Sequence, residues 1–231
     1  MDNSNEEIKE EIKEETAEET APVKKKKEKE KKSAAQEVFE WVEIIALSLS
    51  FVLLMFSYVA RQAVVDGGSM EVTFHEGESI VVSNLFYTPK QGDIVVFQVP
   101  EGSHTTYPII TEPIIKRVIA VGGQTVYIDF DNWKVYVYDD SSLTVDEVLA
   151  TVEPLDEPYI EPMRSTYAEG TPIIKDRYTR TYPLTVEDGM LFCMGDNRNG
   201  SSDSRSNLGP VDSRYVLGKV IFRIWPFSVK F

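Results

Sequence analysis

The run from Val42 to Ala60 constrains this chain more than any other stretch. It carries Ile44, Ile45, Leu47, Leu49, Phe51, Val52, Leu53, Leu54, Met55 and Phe56, and Glu43 near its start is its only charge. At about 1.5 Å per residue, a helix of this length crosses a hydrocarbon core of about 30 Å. Trp41 and Tyr58 stand at its two ends, where amphipathic rings favour the membrane interface. A lysine cluster, Lys24 to Lys27 with Lys29, Lys31 and Lys32, precedes the run, and few basic residues follow it closely. The positive-inside rule then predicts a cytoplasmic tail, an uncleaved single-span anchor over 36–62 and an extracytoplasmic domain over 63–231. A cleaved secretory signal is the competing reading. A cut after Ala60 would have bulky Tyr58 two residues earlier, against the small-x-small pattern, and the run is long for a signal core.

Residues 1–35 are acidic first, with Glu6 to Glu19, and basic second, with Lys24 to Lys32, and contain no aromatic residue. Such a segment cannot bury enough apolar surface to offset its ordering entropy, so it is expected to be disordered. The formal net charge of −14 argues against a nucleic-acid partner, which requires a basic face. Cys193 is the single cysteine, which excludes an intramolecular disulfide and any cysteine-rich metal site. It lies in the apolar run Met190 to Met194 and reads as a small core residue.

Beyond Glu71 the pattern changes to short β-branched runs broken by turn residues. Strands are expected at 79–83, 93–97, 113–121, 125–128, 134–138, 190–194 and 218–225. Asp131-Asn132 separates two of them as a hairpin turn, and Gly122-Gly123 ends a third. Strands this short and regularly punctuated predict a mainly β, antiparallel domain behind the helix. Residues 139–184, with five prolines from Pro154 to Pro183, read as a loop-rich insertion.

Three stretches carry chemistry. Asp66-Gly67-Gly68-Ser69-Met70 follows the anchor, and its glycines permit positive φ or a close approach to a ligand ahead of Ser69. Read alone, it is equally a turn ending a helix. Lys116 sits in Ile114-Ile115-Lys116-Arg117-Val118-Ile119-Ala120-Val121. Strand alternation puts it on one face with Ile114, Val118 and Ala120, and Arg117 on the other. Such a lysine either snorkels to water or, if desolvated, loses its proton readily and can deprotonate a serine. The third stretch, Gly195 to Arg205, is dense in polar groups, and Asp203 and Arg205 can form a buried ion pair that orders it. A solvated surface turn is the alternative. The histidines, His75 and His104, leave a Ser-His-Asp triad open, because triads are defined by geometry.

Taken together, these stretches resemble the bacterial type I signal peptidases, membrane-bound Ser/Lys endopeptidases. Gly68-Ser69-Met70 is similar to the family's nucleophile motif, and Gly92-Asp93-Ile94-Val95-Val96-Phe97 to its substrate-flanking strand. Lys116-Arg117-Val118-Ile119 with Gly122-Gly123 resembles the base motif. Gly195-Asp196-Asn197-Arg198 with Ser201, Asp203, Ser204 and Arg205 resembles the most diagnostic stretch, and Gly209-Pro210-Val211 also fits. The resemblance covers most of 40–231, faintly in 139–184 and not at all in 1–35. It implies Ser69 as nucleophile, Lys116 as general base and Ser201 as a hydroxyl orienting Lys116. It further implies Asp203 and Arg205 as loop supports, the Ser69 N–H as oxyanion donor, and Asp93, Ile94 and Val95 on the substrate strand. The partners implied are exported preproteins, paired along a strand edge, and membrane lipid, with no metal, cofactor or nucleic acid. The chain departs from the family pattern at Val72-Thr73-Phe74, where proline and leucine usually flank the threonine. It also has Gly67 where some members carry an oxyanion-donating serine. Two rivals remain: a soluble Ser/Lys self-cleaving regulator, which the anchor opposes, and a non-catalytic anchored β domain that binds exported chains.

Overall fold

The computed structural model describes residues 33–71, 73–99, 112–168, 170–173, 180–206, 208–225 and 227. Residues 1–32 of the predicted disordered tail, His104 and Val72 therefore lie outside the described residues, as do 169 and 174–179 of the insertion, while 33–35 cap and start the first helix. Helix α1 runs Ala34–Tyr58. Its start is capped reciprocally. Ser33 Oγ accepts from Ala35 N at 3.3 Å, and Gln36 Oε1 accepts from Ser33 N at 2.9 Å. The stretch Ala34–Phe56 is long and apolar enough to cross a membrane, and its leucine, isoleucine and phenylalanine side chains are exposed.

Residues 49–231 form one unit, built on sheets. Its strands are β1 (Arg61–Val64), β2 (Ser79–Ser83), β3 (Ile94–Phe97), β4 (Ile114–Val121), β5 (Thr125–Asp129), β6 (Lys134–Tyr138), β7 (Leu184–Thr185), β8 (Met190–Met194), β9 (Val211–Asp212) and β10 (Val216–Trp225). Among the described residues they make a seven-stranded sheet, β1-β2-β10-β3-β4-β8-β9, and a three-stranded sheet, β6-β5-β7. Every pairing is antiparallel. The predicted mainly β, antiparallel architecture is what forms.

One sequence expectation is corrected. The anchor is expected over 36–62, but the helix ends at Tyr58, and Arg61 and Gln62 form a strand that pairs with Val82 and Val81. β-Branched Val64 and Val65 and a ready partner strand outweigh continuation of the helix there. Within the loop-rich insertion 139–184 short helices form. It holds α2 (Val145–Thr151) and α3 (Glu161–Arg164), with a 3-10 turn, Pro158–Ile160, before the latter. Thr144 caps α2 by accepting from Glu147 N, while Glu147 reaches back to the Thr144 N–H. Polar turn residues and prolines hid this helix from a reading based on composition.

Alternation along the strands divides the core. Ile94 and Val96 of β3 pack with Val65, Met70, Phe74, Ile80 and Ile115, while Val95 and Phe97 pack with Val118, Leu191 and Cys193. A register shift between Val118 and Ala120 breaks the pattern on β4. Ala120 consequently joins Ile119, Phe192 and Trp133 in a third cluster beneath the small sheet, rather than sharing a face with Val118. Cys193 is buried, as expected of a core residue.

Gly122 closes β4 where two backbones meet. A Cβ there would lie 2.8 Å from Glu187 O and 2.9 Å from Asp188 Cα and Gly189 N. Backbone on that side cannot swing away as a side chain would. Gly122→Ala is therefore expected to cost about 1–3 kcal/mol, as overpacking does. Thermal unfolding of the purified protein checks this, and an unchanged midpoint contradicts the packing described.

Candidate functional site

Ser69 stands on a turn between β1 and β2. Gly67 takes φ of +75° and a Cβ on it would meet nothing within 4 Å, so the backbone conformation, not space, selects glycine. Past Ser69 the chain is pinned by two side chains with no solvent exposure, Met70 and Phe74, and Phe74 N donates to Met70 O at 2.9 Å. Phe74 thus restrains the turn by packing. The Ser69 carbonyl accepts from Asn197 N at 3.1 Å and the Gly68 carbonyl from Asn197 Nδ2 at 2.9 Å.

Lys116 lies mid-strand on β4, opposite Val95. Its Nζ donates to Ser69 Oγ at 2.7 Å and to its neighbour's carbonyl, Ile115 O, at 2.9 Å. The side chain is buried and touches no carboxylate at hydrogen-bonding distance among the described residues. Burial is the main cause that lowers its pKa from 10.5 to about 8, against the pull of Asp203, Cys193 and Asp196, while Arg205 pushes the same way as burial. Between pH about 8 and 10.5 the unfolded chain holds this proton and the folded chain does not, so stability should rise with pH across that window.

The loop from Gly195 to Arg205 closes the site from β8. A Cβ on Gly195 would collide with the Ser69 carbonyl and with Ser201, so glycine lets the loop lie directly against the serine turn. The predicted ion pair is present and bidentate. Arg205 Nε donates to Asp203 Oδ1 and Nη2 to Asp203 Oδ2, both at 2.8 Å. Burial alone would raise the Asp203 carboxyl, but Arg205 and the Gly195 N–H, at 3.0 Å, outweigh it and hold it low. Ser201 is placed differently from the expectation. Its hydroxyl is buried beside Asp203 and makes no hydrogen bond to Lys116, whose donors go to Ser69 and Ile115.

Sequence reasoning missed further members. Arg117 clamps Asp196 through Nε at 2.9 Å and Nη2 at 2.7 Å, and Thr73 Oγ1 donates to the same carboxylate at 2.5 Å. Both carboxylate oxygens are thereby tied to β4 and to the serine turn at once. The strand alternation that turned Arg117 away from Lys116 hinted that it needed its own buried partner. Nothing in the sequence pattern named Asp196 as that partner.

A cleft of about 470 Å³ opens in front of Ser69 and Lys116. Its walls include Ala63 to Asp66 on one side and Glu112 to Lys116 on the other, with Ile80 and Val96 beneath. On one side β1 pairs with β2; its other edge has no strand partner among the described residues. Ile114 to Lys116 pair with β3, whereas the β8 pairing starts only at Arg117. The free backbone edges therefore face the cleft. The strand nominated for substrate pairing is placed elsewhere. β3 lies between β10 and β4, with Val95 paired on both sides and Ile94 paired with Arg117 of β4, so Val95 offers no free edge. Asp93 is occupied by Tyr87 Oη at 2.8 Å and Lys219 Nζ at 2.5 Å. His75 lies between Glu71, at 3.2 Å, and Glu78, at 3.5 Å, and does not bond Ser69.

Removing Asp203 would leave Arg205 buried without its carboxylate. Asp203→Ala is expected to cost about 3–5 kcal/mol and to lower activity with it. Thermal unfolding read beside turnover decides. Full stability with loss of the chemical step alone would mean that Asp203 is not a support.

A family model described as signal peptidase, peptidase S26, matches residues 38–225. A probable signal peptidase I of Mycobacterium leprae (strain TN) is 31% identical over 86% of this chain and 79% of its own length. A probable signal peptidase I-1 of Synechocystis sp. is 32% identical, covering 84% of this chain and 85% of its own. A signal peptidase I of Bacillus licheniformis is 31% identical, covering 83% and 90%. A solved signal peptidase I from Enterococcus faecalis V583 is 26% identical, covers 58% of this chain and 97% of its own, and has a TM-score of 0.42. On the model match and the curated relatives, this chain belongs to the signal peptidase I family, the S26 peptidases, and is a peptidase that cleaves signal peptides.

Proposed function

We propose that the chain cleaves exported preproteins with a Ser69–Lys116 dyad, as a single-span membrane protein. The observation that carries this reading is the 2.7 Å contact between Ser69 Oγ and a buried lysine whose pKa falls to about 8. The neutral amine of Lys116 takes the Ser69 hydroxyl proton as Oγ attacks the carbonyl carbon of the last signal-peptide residue. The oxyanion that forms is stabilised by the Ser69 N–H, which donates to no other group among the described residues. Collapse expels the amine of the mature protein, which receives the proton from Lys116. Water, deprotonated by Lys116, then hydrolyses the ester and restores Ser69.

The signal peptide is bound as an added strand on the free edges at Ala63–Asp66 and Ile114–Ile115. Val65, Ile80, Val96 and Ile115 crowd the cleft near Ser69, which favours small side chains before the cut. A membrane location has local support beyond the helix. Ser83 Oγ donates to the carbonyl of Val59, directly past α1, at 2.5 Å. The next turn carries Leu85 and a 99% exposed Phe86, apolar groups suited to the lipid interface at that level.

Ser69→Ala should abolish preprotein cleavage without unfolding the domain. The wild type should show an acid limb near pH 8, because Lys116 works only when neutral and about one amine in ten is neutral at pH 7 with such a pKa. Lys116→Met and Lys116→Arg should both be inactive, the latter because guanidinium stays protonated. A pH–rate profile on the purified enzyme and its variants checks this. Turnover in Ser69→Ala, or an acid limb that vanishes in His75→Ala, sinks the dyad.

The topology has its own test. Protease added to cells stripped of their wall should digest 61–231 and spare the lysine-rich tail. Digestion of the tail alone reverses the orientation.

A further inference from the structure

The insertion 139–184 was the part of the chain least connected to chemistry in the sequence, yet it enters the site. Glu157, ahead of the 3-10 turn, is buried, and its carboxylate receives Arg198 Nη1 at 3.0 Å on Oε2 and Arg198 Nη2 on Oε1. Tyr159 Oη donates to the same Oε1 at 2.7 Å. The Tyr159 ring lies under the guanidinium of Arg117, with 3.8 Å from Cζ to the ring centroid. Ile160, the next residue, is buried with Phe192 and Met194 of β8, so the segment is fixed to the strand that leads into the loop.

Arg198 is fully buried inside that loop. Its Nε donates to Gly195 O at 3.2 Å, and its own carbonyl accepts from Arg205 Nη2 at 2.8 Å. Between Gly195 and Arg198 lies Asn197, whose backbone and side-chain N–H groups hold the carbonyls of Ser69 and Gly68. A path of direct contacts thus runs from Glu157 through Arg198 and Asn197 to the backbone of the nucleophile. Among the described residues none of the insertion lines the cleft, so the path bears on alignment of Ser69 with Lys116 rather than on binding in the groove.

We infer that Glu157 is a positioning residue for the Ser69–Lys116 dyad, acting through Arg198 on the loop that fixes the Ser69 backbone. Neutralising it leaves the Arg198 charge buried without its partner, which drives the guanidinium to shift and carries Gly195 and Asn197 with it. The inference rests on the dyad reading above.

The test uses the full chain in lipid-containing detergent micelles with a preprotein substrate. A serine-acylating probe counts active sites to completion, so turnover is expressed per competent site. Glu157→Gln keeps the size of the side chain. It is expected to lower kcat per site by roughly tenfold to a hundredfold, the scale of a displaced catalytic group. KM should move by less than about twofold, since groove binding is untouched. Tyr159→Phe removes one hydrogen bond to Glu157 while keeping the charges and the ring under Arg117. It should lower kcat by about threefold, the worth of one modest hydrogen bond. If Glu157→Gln fails to accumulate folded, Tyr159→Phe decides alone. Wild-type kcat per site with only a lower melting temperature makes Glu157 a stability residue and overturns the inference. A rise in KM alone overturns it too. Ser69→Ala separates the two levels: when it is inactive and Glu157→Gln turns over normally, only the positioning role fails. Turnover in Ser69→Ala removes the dyad beneath it.

Discussion

The Asp196 carboxylate is the point on which the site depends. It accepts both arms of Arg117 from β4 and the hydroxyl of Thr73 from the serine turn, and it belongs to the loop leaving β8. Three segments far apart in sequence meet on two oxygens. A buried carboxylate is expensive unless every lone pair finds a donor, so the fold holds these segments together or leaves a charge unpaired. Ser69 and Lys116 are neighbours of Thr73 and Arg117, and their meeting follows from that clamp.

Buried charge is otherwise matched pair by pair. Arg117 has Asp196, Arg198 has Glu157, and Arg205 has Asp203. Lys116 is treated differently, since a serine hydroxyl and a backbone carbonyl receive its protons. The contrast has a chemical meaning. A guanidinium keeps its proton when buried and demands a carboxylate, whereas an amine can give its proton up. With asparagine, glycine and members of three ion pairs filling the loop beside it, Lys116 is desolvated without gaining a direct counter-ion. That is the condition for a base that works close to neutral pH.

The sheet also decides where a chain can be read. Because β3 sits inside the seven-stranded sheet, its backbone groups are spent on β10 and β4. Among the described residues, β1 has one edge without a strand partner and the first residues of β4 are not paired with β8, and both stretches line the cleft with the serine. Arg61, which the hydropathy run assigns to the anchor, instead starts the strand that forms one wall. The end of α1 at Tyr58 and the start of β1 at Arg61 are therefore only a few residues apart.

Local pattern determined much of this. The apolar run set the helix, β-branched runs set the positions of seven strands, and the order of motifs behind one anchor pointed to the family and to Ser69, Lys116, Asp203 and Arg205. Those features depend on neighbours along the chain, and a reading of the sequence sees neighbours. What the tertiary structure alone decided is who faces whom. Asp196 for Arg117, Glu157 for Arg198, the Ser201 hydroxyl not bonded to Lys116, and Ala120 off the Lys116 face each depend on a contact or a register shift across strands. Charge pairing over such separations leaves no periodicity to read, because any buried arginine is satisfied by any carboxylate that the fold brings near enough to displace water.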